Sequence, residues 1–279
     1  LLPNITFAPP TPNNASTLQA TALYINVSAN DSQNEFEVLL DINRSLVGWW
    51  RFNNETGENA TFFRDWSTYG NNGTAYNGVV INSSGKFGKA GTFDGVNDYV
   101  NVTTSSALRP NSNITLSLWF NPAVLPSGTM GLINHRDISG TNKGYVMEIT
   151  NTALNLFVHN TGANDFVASP TYTVPSTNRW YHVAGQFNGT SIRLFIDGTE
   201  VGAGNNSGNG TINYDSTNEL RIGAEQGLFR PFNGSIDDVQ IYSRALSAVE
   251  IKALYNASNN PYYNNFTSLG NGTFNFNAY

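Results

Sequence analysis

The chain has 279 residues, 39% of them apolar and 13% aromatic, so it is long enough to bury a sizeable hydrophobic core. Only 12% of the residues are charged and the net charge is −6, which argues against the basic surface that nucleic acid requires. The chain contains no cysteine, which excludes disulfides, zinc–thiolate sites and thiol catalysis, and no apolar run near the about 18 residues of a membrane span.

Residues 1–45 predict three short strands. They read as strand, proline-rich turn, strand, turn, strand, with alternating apolar residues over 22–29 and 35–42. Proline separates the first strand from the second, because it cannot donate a hydrogen bond to a strand ladder. We therefore expect a small β-structure ahead of the main part of the chain.

Residues 46–256 contain a longer series of strand patterns. Short alternating runs are separated by Gly, Asn, Asp and Pro, which is typical of an antiparallel sandwich. The runs cover 46–52, 98–104, 114–122, 145–150, 153–160, 181–188, 191–198, 218–224 and 235–243. Within them, the sequence predicts inward-facing core residues at Trp49 or Trp50, Phe52, Trp119, Phe120, Leu194 and Ile196.

Two local signals are more specific than the strand runs. The segment IDGTEV (196–201) predicts a hairpin with an Asp-Gly turn. One short helix is expected near 247–256, where Ser247 and Glu250 fit a capping box. Two further strand patterns, YYNNFTSL and GTFNFNAY, follow within residues 259–279. The expected fold class is therefore all-β with a single short helix.

Several segments between residues 46 and 256 carry a resemblance. They are LVGWWRFNNETGENATFFRDWSTYGNNGT, GKFGKAGTFDGVNDYVNV, ITLSLWFNP, NRWYHVAGQFNGTSIRLFIDGTEV, LRIGAEQG and FNGSIDDVQIYSRALSAVEIKALY. Their order and spacing resemble the laminin-G-like, concanavalin-A-like jelly roll, which implies two curved antiparallel sheets. The resemblance implies little about activity, because this fold carries lectins, enzymes, adhesion modules and structural proteins.

The flanks, residues 1–45 and 257–279, resemble parts of a second domain. They look like the first three strands and two late strands of an immunoglobulin- or fibronectin-III-like sandwich, into which the jelly roll at 46–256 is inserted. Such a sandwich would lack its last strand, so 272–279 would present an unpaired edge. The apolar segment 1–9 is the expected donor to that edge in a neighbouring copy, which would give a head-to-tail filament. The open alternative is that the chain is a fragment of a longer protein.

The residues expected at that contact between copies are apolar and lie near the two ends of the chain. They are Leu1, Leu2, Ile5, Phe7, Phe274, Phe276 and Tyr279.

Asn-x-Ser/Thr sequons are unusually frequent, which predicts N-linked glycans and an extracellular or cell-surface location. The alternative is that a polar β-protein rich in Asn and Thr contains sequons by chance. The sequon asparagines are Asn4, Asn14, Asn26, Asn30, Asn43, Asn54, Asn59, Asn72, Asn82, Asn101, Asn113, Asn188, Asn205, Asn209, Asn233, Asn256, Asn265 and Asn271.

Two aspartates fall on apolar faces of predicted strands. Asp98 shares a face with Val100 and Val102, and Asp237 shares one with Val239 and Ile241. A buried carboxylate is costly unless it is paired or metal-bound, so a structural Ca²⁺ held by Asp94, Asp98 and Asp237 is one interpretation. The resemblance implies the same, because related jelly rolls often bind Ca²⁺ near these segments. The other interpretation is that these aspartates accept backbone N–H bonds in turns.

No catalytic motif is apparent. His135, His159 and His182 are scattered, and we expect His182 to be a hydrogen-bonded structural residue. The paired carboxylates of glycoside hydrolases are missing from the strands. The favoured function is a non-enzymatic structural or adhesive surface protein that partners with copies of itself. A carbohydrate-binding module is the alternative, with loop aromatics as candidate sugar platforms, and an enzyme is third. These loop aromatics are Trp66, Tyr69, Phe166, Tyr172 and Phe229.

Overall fold

The computed structural model describes most of the chain between residues 44 and 257, together with four short strands of the flanks. The described residues are 4–8, 26–30, 40–42, 44–103, 105–136, 143–159, 166–207, 210–214, 219–225, 230–257 and 276–278. For the four flank strands, at 4–8, 26–30, 40–42 and 276–278, only the backbone pairing is described.

Within the described residues the chain forms 21 strands, one turn of 3-10 helix at Ser106–Leu108 and one α-helix, α1, at Ala248–Ala257. In chain order the strands are β1 (Asn4–Ala8), β2 (Asn26–Asn30), β3 (Leu40–Ile42), β4 (Leu46–Trp50), β5 (Phe62–Phe63), β6 (Gly73–Tyr76), β7 (Val80–Asn82), β8 (Ala90–Asp94), β9 (Tyr99–Val102), β10 (Ile114–Pro122), β11 (Thr129–Arg136), β12 (Gly144–Thr150), β13 (Ala153–His159), β14 (Phe166–Ala168), β15 (Tyr172–Thr173), β16 (Tyr181–Phe187), β17 (Ile192–Ile196), β18 (Thr199–Glu200), β19 (Leu220–Ile222), β20 (Asn233–Tyr242) and β21 (Phe276–Ala278).

Two large antiparallel sheets make up the main body. One has eight strands, seven of them in the order β18-β17-β16-β10-β20-β8-β7. The eighth, β4, pairs with the second half of β20, whereas β8 pairs with its first half. The other has nine strands in the order β14-β13-β12-β11-β19-β9-β6-β5, with β15 also paired to β13. This all-β architecture with one short helix confirms the predicted jelly-roll fold class.

The hydrophobic core lies between the two sheets. On β10 the alternating residues Ile114, Leu116, Leu118 and Phe120 enter the core, and they meet residues such as Val100 from the other sheet. Each fully buried side chain of this kind contributes about 1.5–3 kcal/mol of burial free energy. The strands predicted from the sequence therefore supply the core side chains of both sheets.

The outer face of the eight-stranded sheet is covered by α1. Trp49, Phe195 and Tyr242 on this face pack with Ile251 of the helix in a second apolar cluster. The prediction that Trp119 belongs to the inward layer is wrong. Alternation along β10 points it outward, where it is buried against Phe87, His182 and Tyr255. No helix of the described ranges is long enough to cross a membrane.

The two local signals form as expected. Ser247 N–H donates to Glu250 Oε2 over 2.8 Å and Glu250 N–H donates back to Ser247 Oγ over 3.3 Å, so the capping box starts α1. Asp197 and Gly198 have φ of 50° and 70°, the left-handed pair that a tight two-residue hairpin between β17 and β18 requires.

The flanking strands form two separate two-stranded sheets. β1 pairs with β2, and β21 pairs antiparallel with β3, so segments before and after the main body lie side by side. The interpretation of these strands as one split immunoglobulin-like sandwich stays a prediction.

Candidate ligand-binding face

A row of polar side chains crosses the outer face of the nine-stranded sheet. Strand pairing places Thr74 of β6 beside Asn101 of β9, Asn101 beside Arg221 of β19, and Arg221 beside Asn134 of β11. Their chain neighbours, such as Val100 and Ile222, point into the core, so alternation turns the row outward. We call these four residues the polar row.

Two stacked tyrosines adjoin the polar row. Tyr76 and Tyr99 are paired across β6 and β9, with ring centroids 5.0 Å apart and ring planes at 8°. The guanidinium carbon of Arg221 lies 4.3 Å from the centroid of the Tyr99 ring, a cation–π contact. Tyr76 is 44% exposed, so the stack offers an aromatic surface to solvent beside the polar row.

Several buried polar atoms on this face have no hydrogen-bond partner within the described part of the chain. They include Asn101 Oδ1, Arg221 Nε, Asn134 Nδ2, Arg136 Nε and the acceptor Glu148 Oε2. A buried donor or acceptor left unpaired costs about 1–3 kcal/mol. Native proteins usually satisfy such atoms with water or a ligand. Because the unpartnered atoms themselves are shielded from solvent, the part of the polar row that a ligand can contact is the exposed Thr74 and the half-buried Asn101 and Arg221.

Two carboxylates near the polar row, Glu148 and Glu225, are held in ion pairs. Arg136 contacts Glu225 and lies 3.9 Å from Glu148 Oε2, while Arg230 pairs with Glu225 over 2.9 Å. Burial lowers the pKa of Arg136, and the negative charge of Glu148 opposes this shift. Glu148 and Glu225 are thus neutralised by arginines, whereas Arg221 forms no ion pair with any described carboxylate.

The structure brings two of the three predicted metal ligands together. Asp94 is exposed and its Oδ1 accepts the N–H of Val96 over 2.7 Å. Asp98 is buried and its Oδ2 accepts the N–H of Asp94 over 3.0 Å. Burial raises the pKa of Asp98. These bonds match the interpretation in which the aspartates accept backbone N–H groups in a turn.

Asp237 lies elsewhere. It is opposite Trp119 on β10, and its Oδ2 accepts the N–H of Phe87 over 2.9 Å. The prediction that Asp237 shares a face with Val239 is wrong, because a bulge at Asp238, with φ of 49°, shifts the alternation along β20. Burial raises the pKa of Asp237 well above its usual range.

The separation of these aspartates can be read from the strand register. Asp94 pairs with Asn233, which is four residues before Asp237, or about 13 Å along a strand. Ca²⁺–oxygen distances are about 2.3–2.6 Å, so one ion shared by all three aspartates does not fit. No group of three or more acidic or histidine side chains with metal-binding geometry occurs in the described ranges. Calcium binding itself stays a prediction.

The histidines occupy separate buried positions. His182 Nε2 is 3.0 Å from Ser117 Oγ, as expected for a structural residue, and burial lowers its pKa to about 3. His135 stacks on Tyr145, with ring centroids 5.1 Å apart, and burial lowers its pKa to about 4. His159 is buried at the end of β13.

The predicted loop aromatics are spread over the molecule. Trp66 is half-buried and contacts the guanidinium of Arg64, and Tyr172 is half-buried in β15. Tyr69 is 45% exposed and borders a shallow cavity of about 530 Å³ that Ser105, Arg109 and Asn111 also line. Phe166 lies in β14, and Phe229 lies outside the described residues. Sequence reasoning missed Tyr76, Tyr99 and the polar row, although the alternation in YVNV places Tyr99 and Asn101 outward.

The predicted glycosylation sites divide by exposure. The exposed sequon asparagines are Asn54, Asn59, Asn72, Asn188 and Asn256. The half-buried ones are Asn82, Asn101, Asn113, Asn205 and Asn233. Asn4, Asn26 and Asn30 lie in strands β1 and β2, and the rest, Asn14, Asn43, Asn209, Asn265 and Asn271, lie outside the described residues.

The residues predicted to join copies of the chain lie in the flanks. Ile5 and Phe7 are in β1, and Phe276 is in β21. Leu1, Leu2, Phe274 and Tyr279 lie outside the described residues. In this single chain, the predicted donor strand β1 pairs with β2 of the same chain.

Residues 94–252 match the family model Laminin_G_3, described as the concanavalin A-like lectin/glucanases superfamily. The chain belongs to this superfamily. The match confirms the resemblance seen in the sequence for the jelly roll and runs from the end of β8 into α1, so it includes Arg221 and Asn134.

This superfamily member is similar to several known proteins. Adhesion G-protein coupled receptor V1 of Danio rerio is 26% identical over 149 residues, which are 52% of this chain and 2% of the receptor. The binding domain of Paraclostridial Mosquitocidal Protein 1 superposes with a TM-score of 0.62 at 18% identity, over 76% of this chain and 52% of that one.

A third similar protein has a bound sugar. Domain 4 of AbnA, a GH43 extracellular arabinanase from Geobacillus stearothermophilus, was solved in complex with arabinotriose. It superposes with a TM-score of 0.53 at 19% identity, over 79% of this chain and 100% of that domain. At such identities the structural likeness shows the shared fold.

Proposed function

We propose that this superfamily member is a non-enzymatic extracellular binding module that holds an oligosaccharide on the outer face of its nine-stranded sheet. One observation carries the proposal: the half-buried Asn101 and Arg221, each with a polar atom that has no partner among the described residues, lie beside the Tyr76–Tyr99 stack. Sugars present hydroxyl groups that hydrogen-bond and C–H faces that pack on aromatic rings, so such a surface suits them.

The comparisons support the same proposal. The arabinanase domain, which this chain covers completely, was solved in complex with arabinotriose, and the similar part of Paraclostridial Mosquitocidal Protein 1 is its binding domain. The similarity to an adhesion receptor supports an extracellular location. Glycosidic cleavage needs two available carboxylates, whereas Glu148 and Glu225 on this face are engaged by arginines.

Tyr76 provides the test of the proposed face. We expect Tyr76→Ala to weaken binding of neutral oligosaccharides such as arabinotriose by about tenfold, because it removes the stacking surface. Isothermal titration calorimetry against a panel of oligosaccharides measures this. Tyr69→Ala is the matched control, since Tyr69 is equally exposed but borders the separate cavity. A loss of binding in Tyr69→Ala with none in Tyr76→Ala would move the site to the loop aromatics.

We also propose that N-linked glycans occupy the exposed sequons and avoid three half-buried ones. Asn205 Nδ2 donates to the Ala168 carbonyl over 3.0 Å, and Asn233 Nδ2 donates to the Asp94 carbonyl over 3.1 Å. Asn82 Nδ2 likewise donates to Thr92 Oγ1. A glycan is attached through this same nitrogen, so it would disrupt these bonds in half-buried places.

Peptide mass spectrometry of the chain from a glycosylating host measures the occupancy. We expect sugar at Asn54, Asn59, Asn72, Asn188 and Asn256, and none at Asn82, Asn205 and Asn233. The same chain from a host without N-glycosylation is the control. Sugar confined to the three hydrogen-bonded asparagines would refute this proposal. A glycan on Asn101 would lie on the polar row and would therefore compete with any bound oligosaccharide.

Assembly by strand exchange is a second candidate function. The observation that supports it is that β21 pairs only with β3 among the described strands, which leaves its other edge for a strand of another copy. Exchange would require β1 to leave β2 and pair with another copy. A concentration-dependent rise in mass on size exclusion chromatography, abolished by deleting residues 1–9, is the expected sign of such a filament.

A further inference from the structure

We infer that the polar row takes an acidic oligosaccharide and that Arg221 binds a sugar carboxylate. This inference rests on the proposed function, because it names the class of sugar for the same face. The guanidinium of Arg221 contacts the Tyr99 ring, and its buried Nε has no hydrogen-bond partner among the described residues. Arg221 also forms no ion pair with any described carboxylate.

Arg221 differs in burial from Arg44 and Arg64, two arginines that also form no ion pair among the described residues but are exposed. The chain has 14 basic and 20 acidic residues, so carboxylates are in excess. Six other arginines of the described residues do form ion pairs with carboxylates: Arg51, Arg136, Arg179, Arg193, Arg230 and Arg244. A half-buried arginine that lacks such a partner on an outer face is a complementary site for a carboxylate from outside.

The neighbours of Arg221 favour a planar oxygen-rich group. The guanidinium carbon lies 4.3 Å from the Tyr99 ring centroid, and no described carboxylate pairs with the N–H donors of Arg221, which suit a bidentate contact with a carboxylate. Asn134 on one side is fully buried, so its Nδ2 is not accessible to a ligand. Asn101 on the other side is half-buried, and its amide is placed to hydrogen-bond a sugar hydroxyl. Arg221 and Asn101 together match one carboxylate with a neighbouring hydroxyl.

The charged residues around Arg221 limit how many negative charges a ligand bound to this face can carry. Glu148 and Glu225 are paired with Arg136 and Arg230, so they add little net charge. Glu219 precedes Arg221 by two residues on the same face and would repel a densely charged chain. We therefore infer a sugar with a single carboxylate, such as a uronic acid, rather than a polysulfated glycan.

The test compares three probes on the full chain produced without glycosylation: a trisaccharide with one uronic acid residue (the uronate trimer), neutral arabinotriose and a heparin-derived oligosaccharide. We expect the uronate trimer to bind about tenfold more tightly than the neutral trimer. Arg221→Gln should bring the ratio of these two affinities to about one, and Arg221→Lys should retain part of the preference. Arg193→Gln, which removes a surface arginine on the other sheet, should leave the ratio unchanged. Near-ultraviolet circular dichroism checks that each variant is folded.

The outcomes separate the inference from the proposed function. Equal affinity for the uronate and neutral trimers, with both weakened by Tyr76→Ala, would overturn the inference and leave the function standing. Preference for the heparin fragment would also overturn it. If none of the probes and no member of the oligosaccharide panel bound, the proposed function would fall together with the inference. A uronate preference that survives Arg221→Gln in a folded variant would show that another group binds the carboxylate.

Discussion

The Asp65→Ala variant is expected to lose about 3–5 kcal/mol of its free energy of unfolding. Asp65 is 3% exposed, and its carboxylate accepts four hydrogen bonds. They come from the backbone N–H groups of Trp49, Ser67 and Asn71 and from Ser67 Oγ, at 2.7–2.9 Å. The Asp65 side chain therefore links the turn at 65–72 to β4 through hydrogen bonds. Alanine at this position would leave several buried donors without partners.

Urea denaturation at pH 7 measures the loss. Asp65→Asn should lose less, because it keeps one acceptor oxygen but presents a donor to the Asn71 N–H. Asp94→Ala is the matched control, since Asp94 also accepts turn N–H groups but is exposed, and we expect it to cost about 1 kcal/mol or less. Equal losses in Asp65→Ala and Asp94→Ala would show that the buried hydrogen bonds of Asp65 are not important for stability.

Replacing His135 with phenylalanine is expected to raise stability, and to raise it further at acid pH. Both ring nitrogens of His135 are buried without hydrogen-bond partners among the described residues. An apolar ring that keeps the stacking on Tyr145 removes this cost, so at pH 7.5 we expect a gain of about 1–3 kcal/mol. A smaller gain would indicate that phenylalanine packs less well in the imidazole site.

The pH dependence follows from the lowered pKa of His135. Burial lowers it from 6.5 to about 4, and the charge of Arg109 acts in the same direction. Between these pH values the unfolded chain binds a proton that the folded chain does not. The stability of the wild type therefore falls as the pH drops through this window. At about 1.4 kcal/mol for each pH unit, the wild type loses about 3 kcal/mol relative to the variant.

Denaturation curves of both proteins at pH 7.5, 6.5, 5.5 and 4.5 measure the difference. Buried carboxylates with raised pKa values, such as Asp237 and Asp238, act in the opposite direction, but they are common to both proteins. His182→Phe is the informative control. It should lose stability at pH 7.5 because it breaks the bond to Ser117, while it too reduces the acid sensitivity. A constant difference between wild type and His135→Phe across this range would refute the pKa argument.

The sequence by itself determined the features that depend on neighbouring residues. The alternation of ITLSLWFNP predicted β10 with the bounds that the structure has, because large apolar residues at every second position face the core between the sheets. The Asp197-Gly198 turn and the Ser247–Glu250 capping box were predicted because each involves hydrogen bonds or backbone angles within a few residues. The family resemblance came from segments in a fixed order, and the family match confirms it.

Only the tertiary structure decided which distant residues meet. The polar row joins Asn101, Arg221 and Asn134 through strand registers, and no local pattern specifies the register between strands far apart in the sequence. The bulge at Asp238 likewise moved Asp237 away from the face that simple alternation assigns to it. Trp119 is buried beneath α1 rather than in the central core, because burial on the outer face of a sheet depends on what covers it. A binding face assembled across strands is therefore decided by packing and register, whereas strands, turns and caps are decided by local chemistry.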